Sequence, residues 1–224
     1  MNSNSSATNP EQVPKAVVAR LSLYLRELQQ LLNNDKQTVS SQVLGARLGV
    51  TGAQVRKDFT YFGQFGYPGV GYRCGELIVE IKRILGTDKT WPVALIGCGN
   101  LGQALLGYRG FQKQGFQVVA AFDISPELIG TQIENLTVQN IEGLPEWVER
   151  EKISLVILAV PANATHQAVE VILRSGVTGI LNFAPVTLKL PKRIQVVGVD
   201  LAIELEQLAF GVAQSPRSSS RTDE

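Results

Sequence analysis

Three glycines, at positions 97, 99 and 102, follow a short apolar segment and constrain the fold more than any other feature of this chain. Residues 91–96 are apolar without polar alternation, as in a parallel strand covered on both faces. Gly97 suits a tight turn, Gly99 lets backbone amides approach a phosphate, and Gly102 lets a helix pack close to the strand. The spacing therefore indicates a dinucleotide-binding loop, formed by Gly97, Cys98, Gly99, Asn100, Leu101 and Gly102.

An acidic residue, Asp123, stands roughly twenty residues further on, at the end of a second apolar segment. In dinucleotide-binding folds such an acid accepts hydrogen bonds from the ribose hydroxyls, and its charge repels a 2′-phosphate. The loop and the acid together predict NAD(H) rather than NADP(H). The alternative is that Asp123 caps the turn before Ser125.

Two later segments predict further positions on the ligand side of the sheet. Residues 153–160 and 179–183 are apolar and predict strands, with a helix over 165–175 between them. Open α/β sheets bind ligands at the carboxyl ends of their strands. We therefore expect Pro161, Asn182 and Ala184 beside the cofactor, the alternative being ordinary core and turn.

Composition limits the classes of protein that this chain can be. Its 224 residues, 44% of them hydrophobic, allow one large domain or two small ones. No apolar stretch approaches the roughly 20 residues that span a bilayer, and residues 1–6 lack the features of a signal peptide. Two cysteines make no disulfide framework, so the sequence predicts a cytoplasmic protein with no membrane partner.

The sequence supplies little for catalysis. His166, the single histidine, has no obvious aspartate partner nearby in sequence, and no Cys/His cluster has metal-ligand spacing. Cys98 has two interpretations: a small residue that fits the loop, or a redox-sensitive thiol whose pKa is lowered at a helix N-terminus. The sequence offers no resolving cysteine partner, which favours the inert interpretation.

Charge is unevenly distributed along the chain. Residues 1–85 hold ten basic and six acidic residues (+4), and the remainder holds eleven and fourteen (−3), in agreement with the net +1. This excess hints at an anionic partner for the N-terminal part.

The N-terminal part has the pattern of a helix-turn-helix. Residues 17–32 have apolar positions at helical spacing, and a short helix follows whose predicted inner face holds Val43, Leu44 and Leu48. Gly49 suits the end of that helix, and Thr51 with Gln54 suits a capping box that begins the next.

The second helix of such a motif enters the major groove and contacts base edges. Gln54 can read adenine, and Arg56 and Lys57 can contact guanine or phosphate. The alternative is a solvated helix face. Residues 62–72 then alternate aromatics with glycines, which predicts a short hairpin, a wing, with Arg73 at its base; a compact loop is the alternative. The predicted DNA-binding residues are Gln54, Arg56, Lys57, Tyr61, Tyr67 and Arg73.

Several motifs in this order resemble the Rex family of redox-sensing transcriptional repressors along nearly the whole chain. Residues 53–58 and 61–63 look like the recognition helix running into the wing of that family, and residues 90–102 look like the entry to its cofactor domain. Residues 159–162, 181–185 and 199–205 complete the pattern. One departure lies in the wing, where Tyr67 and Pro68 stand before Gly69 and family members often carry a basic residue.

The resemblance implies a homodimer that represses genes of anaerobic or fermentative NADH-consuming metabolism. NADH would lower operator affinity, and NAD+ would compete. The C-terminal helix would be exchanged between subunits. The resemblance also implies a switch in which Arg20 pairs with Asp200 of the partner subunit in one state, while Tyr108 takes that aspartate in the other; the alternative is three surface residues.

We therefore expect an α/β protein with a winged-helix DNA-binding domain (1–86) and a doubly wound Rossmann NAD(H) domain (87–198). A domain-swapped dimerisation helix (199–213) and a disordered tail (214–224) would follow. The predicted ligands are NADH, NAD+ and double-stranded operator DNA. The alternatives are an NAD-dependent oxidoreductase with an extra domain, and an NAD-bound scaffold that senses nothing. The capped helix-turn-helix and the lack of acid–base residues favour the repressor.

Overall fold

The computed structural model describes residues 13–214. The chain divides into two compact units, the first ending at Thr90 and the second beginning at Trp91. Residues 215–224, which hold nearly all of the predicted disordered tail, lie outside the described residues.

The first unit is a small helical domain with a two-stranded antiparallel sheet. Its core is built from the apolar face of α1 together with Leu44, Val55, Phe59 and Leu77. In chain order its elements are α1 (Lys15–Asn33), β1 (Thr38–Val39), α2 (Ser41–Arg47), α3 (Gly52–Thr60), β2 (Tyr72–Arg73) and α4 (Cys74–Leu85).

The helix-turn-helix comprises α2 and α3, and side-chain caps begin both helices. The Ser40 hydroxyl accepts a hydrogen bond from the Val43 N–H, and the Thr51 hydroxyl accepts one from the Gln54 N–H at 3.1 Å. Gly49 has the positive φ expected after the end of α2. One inner-face prediction is wrong: Val43 is half exposed, because the buried face of the short α2 consists of Leu44, as predicted, and Gly45.

The predicted short hairpin between α3 and α4 is present as a single antiparallel bridge between Tyr67 and Gly71. The Tyr67 N–H donates to the Gly71 carbonyl at 2.8 Å, and the Gly71 N–H donates to the Tyr67 carbonyl at 3.0 Å. The following strand, β2, pairs with β1. The aromatic residues anchor this segment to the core, since the rings of Phe65 and Tyr72 both pack edge-on against Phe59.

The second unit contains a seven-stranded sheet in the order β5-β6-β4-β3-β7-β8-β9. Only β5, an edge strand, is antiparallel to its neighbour. The strands are β3 (Trp91–Ile96), β4 (Phe116–Asp123), β5 (Gln132–Ile133), β6 (Leu136–Asn140), β7 (Leu155–Leu158), β8 (Gly179–Asn182) and β9 (Gln195–Gly198). The helices are α5 (Asn100–Leu106), α6 (Gly110–Lys113), α7 (Leu144–Glu151), α8 (Thr165–Ser175) and α9 (Leu201–Gln214).

The six parallel strands have the order of a Rossmann fold, which confirms the predicted doubly wound sheet. Apolar side chains cover both faces of β3, because Ala94 and Ile96 pack into one cluster and Val93 and Leu95 into the other. Strand order reverses between β3 and β7, so the carboxyl ends of these strands form the crevice in which such sheets bind ligands.

Every residue of the last helix, α9, is exposed to solvent within one chain. It begins after Asp200, whose Oδ1 accepts hydrogen bonds from the N–H groups of Ala202 (2.9 Å) and Ile203 (3.3 Å). Its large apolar side chains lie mostly open to solvent: Leu201, Ile203, Leu205, Leu208, Phe210 and Val212.

Candidate nucleotide and DNA-binding sites

The glycine loop joins β3 to α5 with the geometry that its spacing predicts. Gly97 has a φ of +97°, and a Cβ there would lie 2.5 Å from the Ala159 carbonyl oxygen of the neighbouring strand end. A Cβ on Gly102 would overlap the Gly97 carbonyl, so α5 packs directly on the loop. Within the described chain, a Cβ on Gly99 would meet no atom within 4 Å beyond its chain neighbours. The open space at Gly99 fits the close approach of a phosphate to the backbone.

Asp123 lies at the carboxyl end of β4 and holds this loop. Its Oδ2 accepts a hydrogen bond from the Cys98 N–H at 2.6 Å, and its Oδ1 accepts one from the Ser125 N–H at 2.9 Å. An ionised carboxylate has about four acceptor sites, so two remain for ribose hydroxyls. Asp123 thus caps the turn at Ser125, as the alternative interpretation predicts. This cap leaves room for ligand binding at the same carboxylate.

A cleft of about 250 Å³ opens at the reversal of strand order. It brings together residues that lie far apart in the sequence, since Gly97 and Gly99 face Asp123 on one side and Pro161 on the other. Apolar residues from the ends of three strands complete its walls, among them Ile96, Val160 and Ile141. Three of the predicted cofactor segments therefore line one cleft.

Cys98 points away from this cleft into the core. The side chain is fully buried, and its thiol donates to the Phe122 carbonyl at 3.5 Å. Burial, together with the negative charge of Asp123, raises the pKa of Cys98 to about 12. The thiol is therefore protonated at neutral pH, as the inert interpretation of the sequence predicts.

Asn182 and Ala184 lie in a second cleft at the same edge of the sheet. The buried Asn182 side chain donates to the carbonyls of Ala184 and Val186 and accepts from the Ala184 N–H at 3.1 Å. Its polar atoms therefore shape the loop after β8. This cleft of about 520 Å³ also includes Asp200 and Ile203 at the start of α9, and none of the glycine loop.

Two of the predicted DNA-contacting residues of α3 lie exposed on the first unit, and the third, Gln54, is half-buried. Arg56 and Lys57 are exposed, and Arg56 donates to the Ser41 hydroxyl at the start of α2 at 2.7 Å. Tyr61 is half-buried at the end of α3, with its ring near that of Phe62. The structure thus groups two cations and a phenol along one helix.

Sequence reasoning missed a buried carboxylate on the inner side of α3. Asp58 is 0% exposed and accepts four hydrogen bonds. Arg20 donates two of them, at 2.6 and 2.8 Å, Tyr24 donates one at 2.8 Å, and the Gln54 side-chain amide donates one at 2.7 Å. Burial would raise the pKa of Asp58, but these hydrogen bonds outweigh it and hold the pKa below its ordinary value. The signal was present, since an acid between Val55 and Phe59 occupies the apolar face of the helix.

The turn before β2 carries a small polar cluster. Arg73 pairs with Glu76 at 2.9 Å and lies over the Tyr67 ring at 4.6 Å, while the Tyr67 hydroxyl donates to the same carboxylate. The charge of the predicted wing residue Arg73 is therefore matched by Glu76.

The predicted switch residues lie in different units. Arg20, on α1, is held by Asp58, whereas Tyr108 is exposed after α5 with its ring packed edge-on against Phe111 at 5.1 Å. Asp200 caps α9. His166 is exposed on α8, 3.6 Å from Glu170, and does not line the cleft with the glycine loop.

Within residues 13–214, no helix combines the length and the apolarity that crossing a membrane requires. In the same part of the chain, His, Cys, Asp and Glu side chains form no group of three that could hold a metal ion.

Family models match both units of the chain. Residues 12–60 match the model described as "Putative DNA-binding protein N-terminus", and residues 88–186 match "CoA binding domain". Two solved structures have similar folds over most of the chain. The crystal structure of RSP in complex with β-NAD+ and operator DNA has a TM-score of 0.85 and 38% identity, covering 89% of this chain and 92% of RSP. The structure of RSP with β-NADH has a TM-score of 0.80 and 38% identity, covering 90% and 94%.

Curated relatives match about nine tenths of this chain. The redox-sensing transcriptional repressor Rex of Streptomyces coelicolor is 44% identical over 204 residues, which cover 91% of this chain and 79% of the relative. Rex of Syntrophobacter fumaroxidans is 40% identical over 200 residues, covering 89% and 95%. Identity of this extent across both units shows that the chain belongs to the Rex family of redox-sensing transcriptional repressors.

Proposed function

We propose that this protein binds operator DNA as a homodimer and is released when NADH binds, with NAD+ competing for the same site. One observation carries the proposal: a single chain holds both a capped helix-turn-helix and a dinucleotide cleft. The RSP structures support it, because one contains β-NAD+ with operator DNA and another contains β-NADH. The protein acts in the cytoplasm, where NADH and DNA are both available.

The cofactor binds at the carboxyl edge of the second unit. The loop from Gly97 to Gly102 receives the pyrophosphate, and Asp123 accepts hydrogen bonds from a ribose. Pro161 lines the same cleft, and Asn182 acts through the loop that it shapes, which presents Ala184. Bound nicotinamide dinucleotide serves as the signal, and hydride transfer is not required of it.

Operator DNA contacts the first unit through α3. Arg56 and Lys57 supply phosphate or guanine contacts, and Gln54 and Tyr61 add polar contacts in the major groove. Tyr67 and Arg73 contact the backbone beside the groove. Because Glu76 matches the charge of Arg73, the wing contributes less to affinity than α3 does.

Dimerisation uses α9, which is exchanged between subunits. Leu205 is 65% exposed and Leu208 63% within one chain, so an apolar helix face of this size needs a partner. A second copy supplies it with no further component, as in closed two-fold dimers. Asp200, at the start of this helix, then lies beside the partner subunit.

The link between the two sites is an exchange of hydrogen-bond partners. Arg20 leaves Asp58 to pair with Asp200 of the partner subunit in one state, and Tyr108 takes that aspartate in the other. Such an element has two discrete arrangements, which a ligand can bias if it binds one of them better.

A fluorescence-anisotropy titration tests the proposal. Operator duplexes selected from a random DNA pool by the purified protein are titrated at fixed salt, because salt alone changes affinity strongly. We expect NADH to weaken binding and added NAD+ to restore it. Arg56→Ala and Lys57→Ala should each weaken operator binding without changing NADH affinity, whereas Arg83→Ala on α4 serves as a matched loss of charge and should change neither.

The rival oxidoreductase makes the opposite predictions. If NADH left operator binding unchanged while NADH was oxidised in the presence of simple carbonyl substrates, the repressor proposal would be abandoned. If NADH bound but was not oxidised and did not change operator affinity, the protein would be an NAD-bound scaffold that senses nothing.

A further inference from the structure

The Asp58 cluster joins the first helix to the face of α3 that the proposed function assigns to DNA. The carboxylate lies inside the unit, yet the Gln54 amide that it binds comes from a half-buried residue at the start of α3. Arg20 reaches the same carboxylate from α1. One buried group therefore touches both the predicted switch residue and a predicted base-reading residue.

Gln54 has two possible local partners, and the structure selects Asp58. In a complete capping box, the side chain of Gln54 would reach back to the Thr51 N–H. Only half of that box forms, because the Thr51 hydroxyl accepts from the Gln54 N–H while the Gln54 Nε2 donates to Asp58 Oδ1. Asp58 thus removes the amide from a capping role and restricts its rotation.

The remaining hydrogen-bonding capacity of Gln54 suits adenine. A side-chain amide has two N–H donors and one carbonyl acceptor, and Asp58 uses one donor. The carbonyl oxygen and the second N–H remain, which is what a bidentate contact with adenine N6 and N7 needs. Holding the amide by its other hydrogen orients this pair before DNA arrives, and less conformational entropy is then lost on binding.

We propose that Asp58 is a positioning residue for operator reading, which fixes the Gln54 amide for base recognition and ties it to Arg20. This rests on the proposed function, because it requires α3 to read DNA. When Arg20 leaves, Asp58 loses two of its four hydrogen bonds while it stays buried. Tyr24 and Gln54 are then the remaining donors to the buried Asp58 carboxylate. The hydrogen bond from the Gln54 amide therefore changes with the partner of Arg20.

The test measures base discrimination rather than affinity alone. Dissociation constants are determined for the full-length protein with its selected operator and with duplexes in which each base pair of the half-site is replaced in turn. The variants are Asp58→Asn, Gln54→Ala and the double variant. Tyr24→Phe is the matched control, since it removes one hydrogen bond from Asp58 Oδ2 and leaves the one from Gln54 on Oδ1.

We expect Gln54→Ala to reduce discrimination at one base pair by about tenfold, the size of a bidentate contact. Asp58→Asn should reduce it at the same base pair by a similar factor, and the double variant should be no worse than Gln54→Ala. Tyr24→Phe should keep the discrimination of the wild-type chain, even if its affinity or melting temperature falls.

A uniform loss of affinity in Asp58→Asn, with every discrimination ratio retained, would overturn the proposal and leave Asp58 as a structural residue. Additive losses in the double variant would overturn it as well. Failure of the wild-type chain to select any operator would instead refute the proposed function, so the two failures are distinguishable.

A second measurement applies if Asp58→Asn does not fold. In the ¹⁵N-labelled wild-type protein, the Gln54 side-chain amide should give shifted signals that exchange slowly with solvent, because one hydrogen is bound to Asp58. Gln42, exposed on α2, provides an internal reference. Signals of Gln54 that match those of Gln42 would contradict the fixed orientation.

Discussion

The Cys98 N–H donates to the Asp123 carboxylate across 2.6 Å, which joins the glycine loop to the end of the neighbouring strand. The two residues are twenty-five positions apart, and the parallel pairing of β3 with β4 brings them together. Asp123 therefore holds the loop in shape, and the remaining acceptor sites of its carboxylate are the ones that the proposed function assigns to a ribose.

Replacing Asp123 should separate cofactor binding from DNA binding. Asp123→Ala removes both the proposed ribose acceptor and the hydrogen bond that fixes the loop, so we expect NADH affinity to fall about 10- to 100-fold, as for hydrogen bonds to a charged group. Operator affinity without nucleotide should stay unchanged. Calorimetric titration measures the NADH affinity. Glu127→Ala, which removes an exposed acid nearby, is the control. Equal NADH affinity in both variants would contradict the assignment.

Two glycines of the loop should respond differently to the same added methyl group. The methyl group of Gly99→Ala points into free space, so the melting temperature should stay unchanged. NADH binding should be lost, because the methyl group occupies the space that the proposal gives to the phosphates. Gly102→Ala forces α5 away from the Gly97 carbonyl, so the melting temperature should drop. Thermal unfolding with and without NADH distinguishes them. A Gly99→Ala protein that still gains stability from NADH would place the phosphates elsewhere.

The Cys98 thiol should be unreactive in the folded protein. With a pKa of about 12, roughly one thiol in ten thousand is ionised at pH 8, against about a quarter for an ordinary cysteine. We expect negligible reaction with an aromatic disulfide reagent until the chain is unfolded, and Cys98→Ala should retain NADH affinity. Rapid modification that abolished NADH binding would instead support a thiol sensor.

The same raised pKa predicts how stability depends on pH. The folded chain favours the protonated thiol, so this contribution is complete below the unfolded-state pKa of about 8.5 and is lost as the pH rises above it. The free energy of unfolding should therefore fall between pH 8 and 10 more steeply in the wild-type protein than in Cys98→Ala. Parallel curves from urea titrations would refute this.

Charges placed on the apolar face of α9 should prevent dimerisation. Leu205→Glu and Leu208→Glu put carboxylates where the proposed dimer buries leucines, and burying an unpaired charge is costly. Sedimentation velocity should then show monomers. Glu206→Gln, on the same helix, should leave the wild-type distribution, and dimers in the leucine variants would remove α9 from the interface.

Two substitutions of Asp200 should separate its cap from its charge. Serine can still cap α9, whereas alanine cannot, and a lost cap costs about 1 kcal/mol. We expect Asp200→Ser to dimerise normally and yet lose the response of operator affinity to NADH, because the proposed exchange with Arg20 and Tyr108 needs a carboxylate. A normal NADH response in Asp200→Ser would reduce Asp200 to a helix cap.

Local signals in the sequence predicted most of the elements that carry the sites. The strand over 91–96 and the helix over 165–175 have the predicted bounds, and Thr51 caps α3 as its spacing indicates. The wing was less predictable. Its aromatic residues suit strands, but Tyr72 pairs with Val39 of β1, and the rings of Phe65 and Tyr72 pack against Phe59. The hairpin itself is therefore reduced to the bridge between Tyr67 and Gly71.

The sequence by itself determined the glycine loop, the acid at the end of β4 and the capped start of α3, because each depends on residues that are close together in the sequence. Only the tertiary structure decided that Arg20 and Tyr24 bind Asp58, whereas Gln54, four positions away on the same helix, is a local partner. Arg20 and Tyr24 stand thirty-eight and thirty-four positions from Asp58, and the packing of the first unit brings these donors of α1 to the buried carboxylate. A buried carboxylate needs hydrogen-bond donors, and the donors from other helices depend on how the helices pack. The local sequence pattern does not specify those donors.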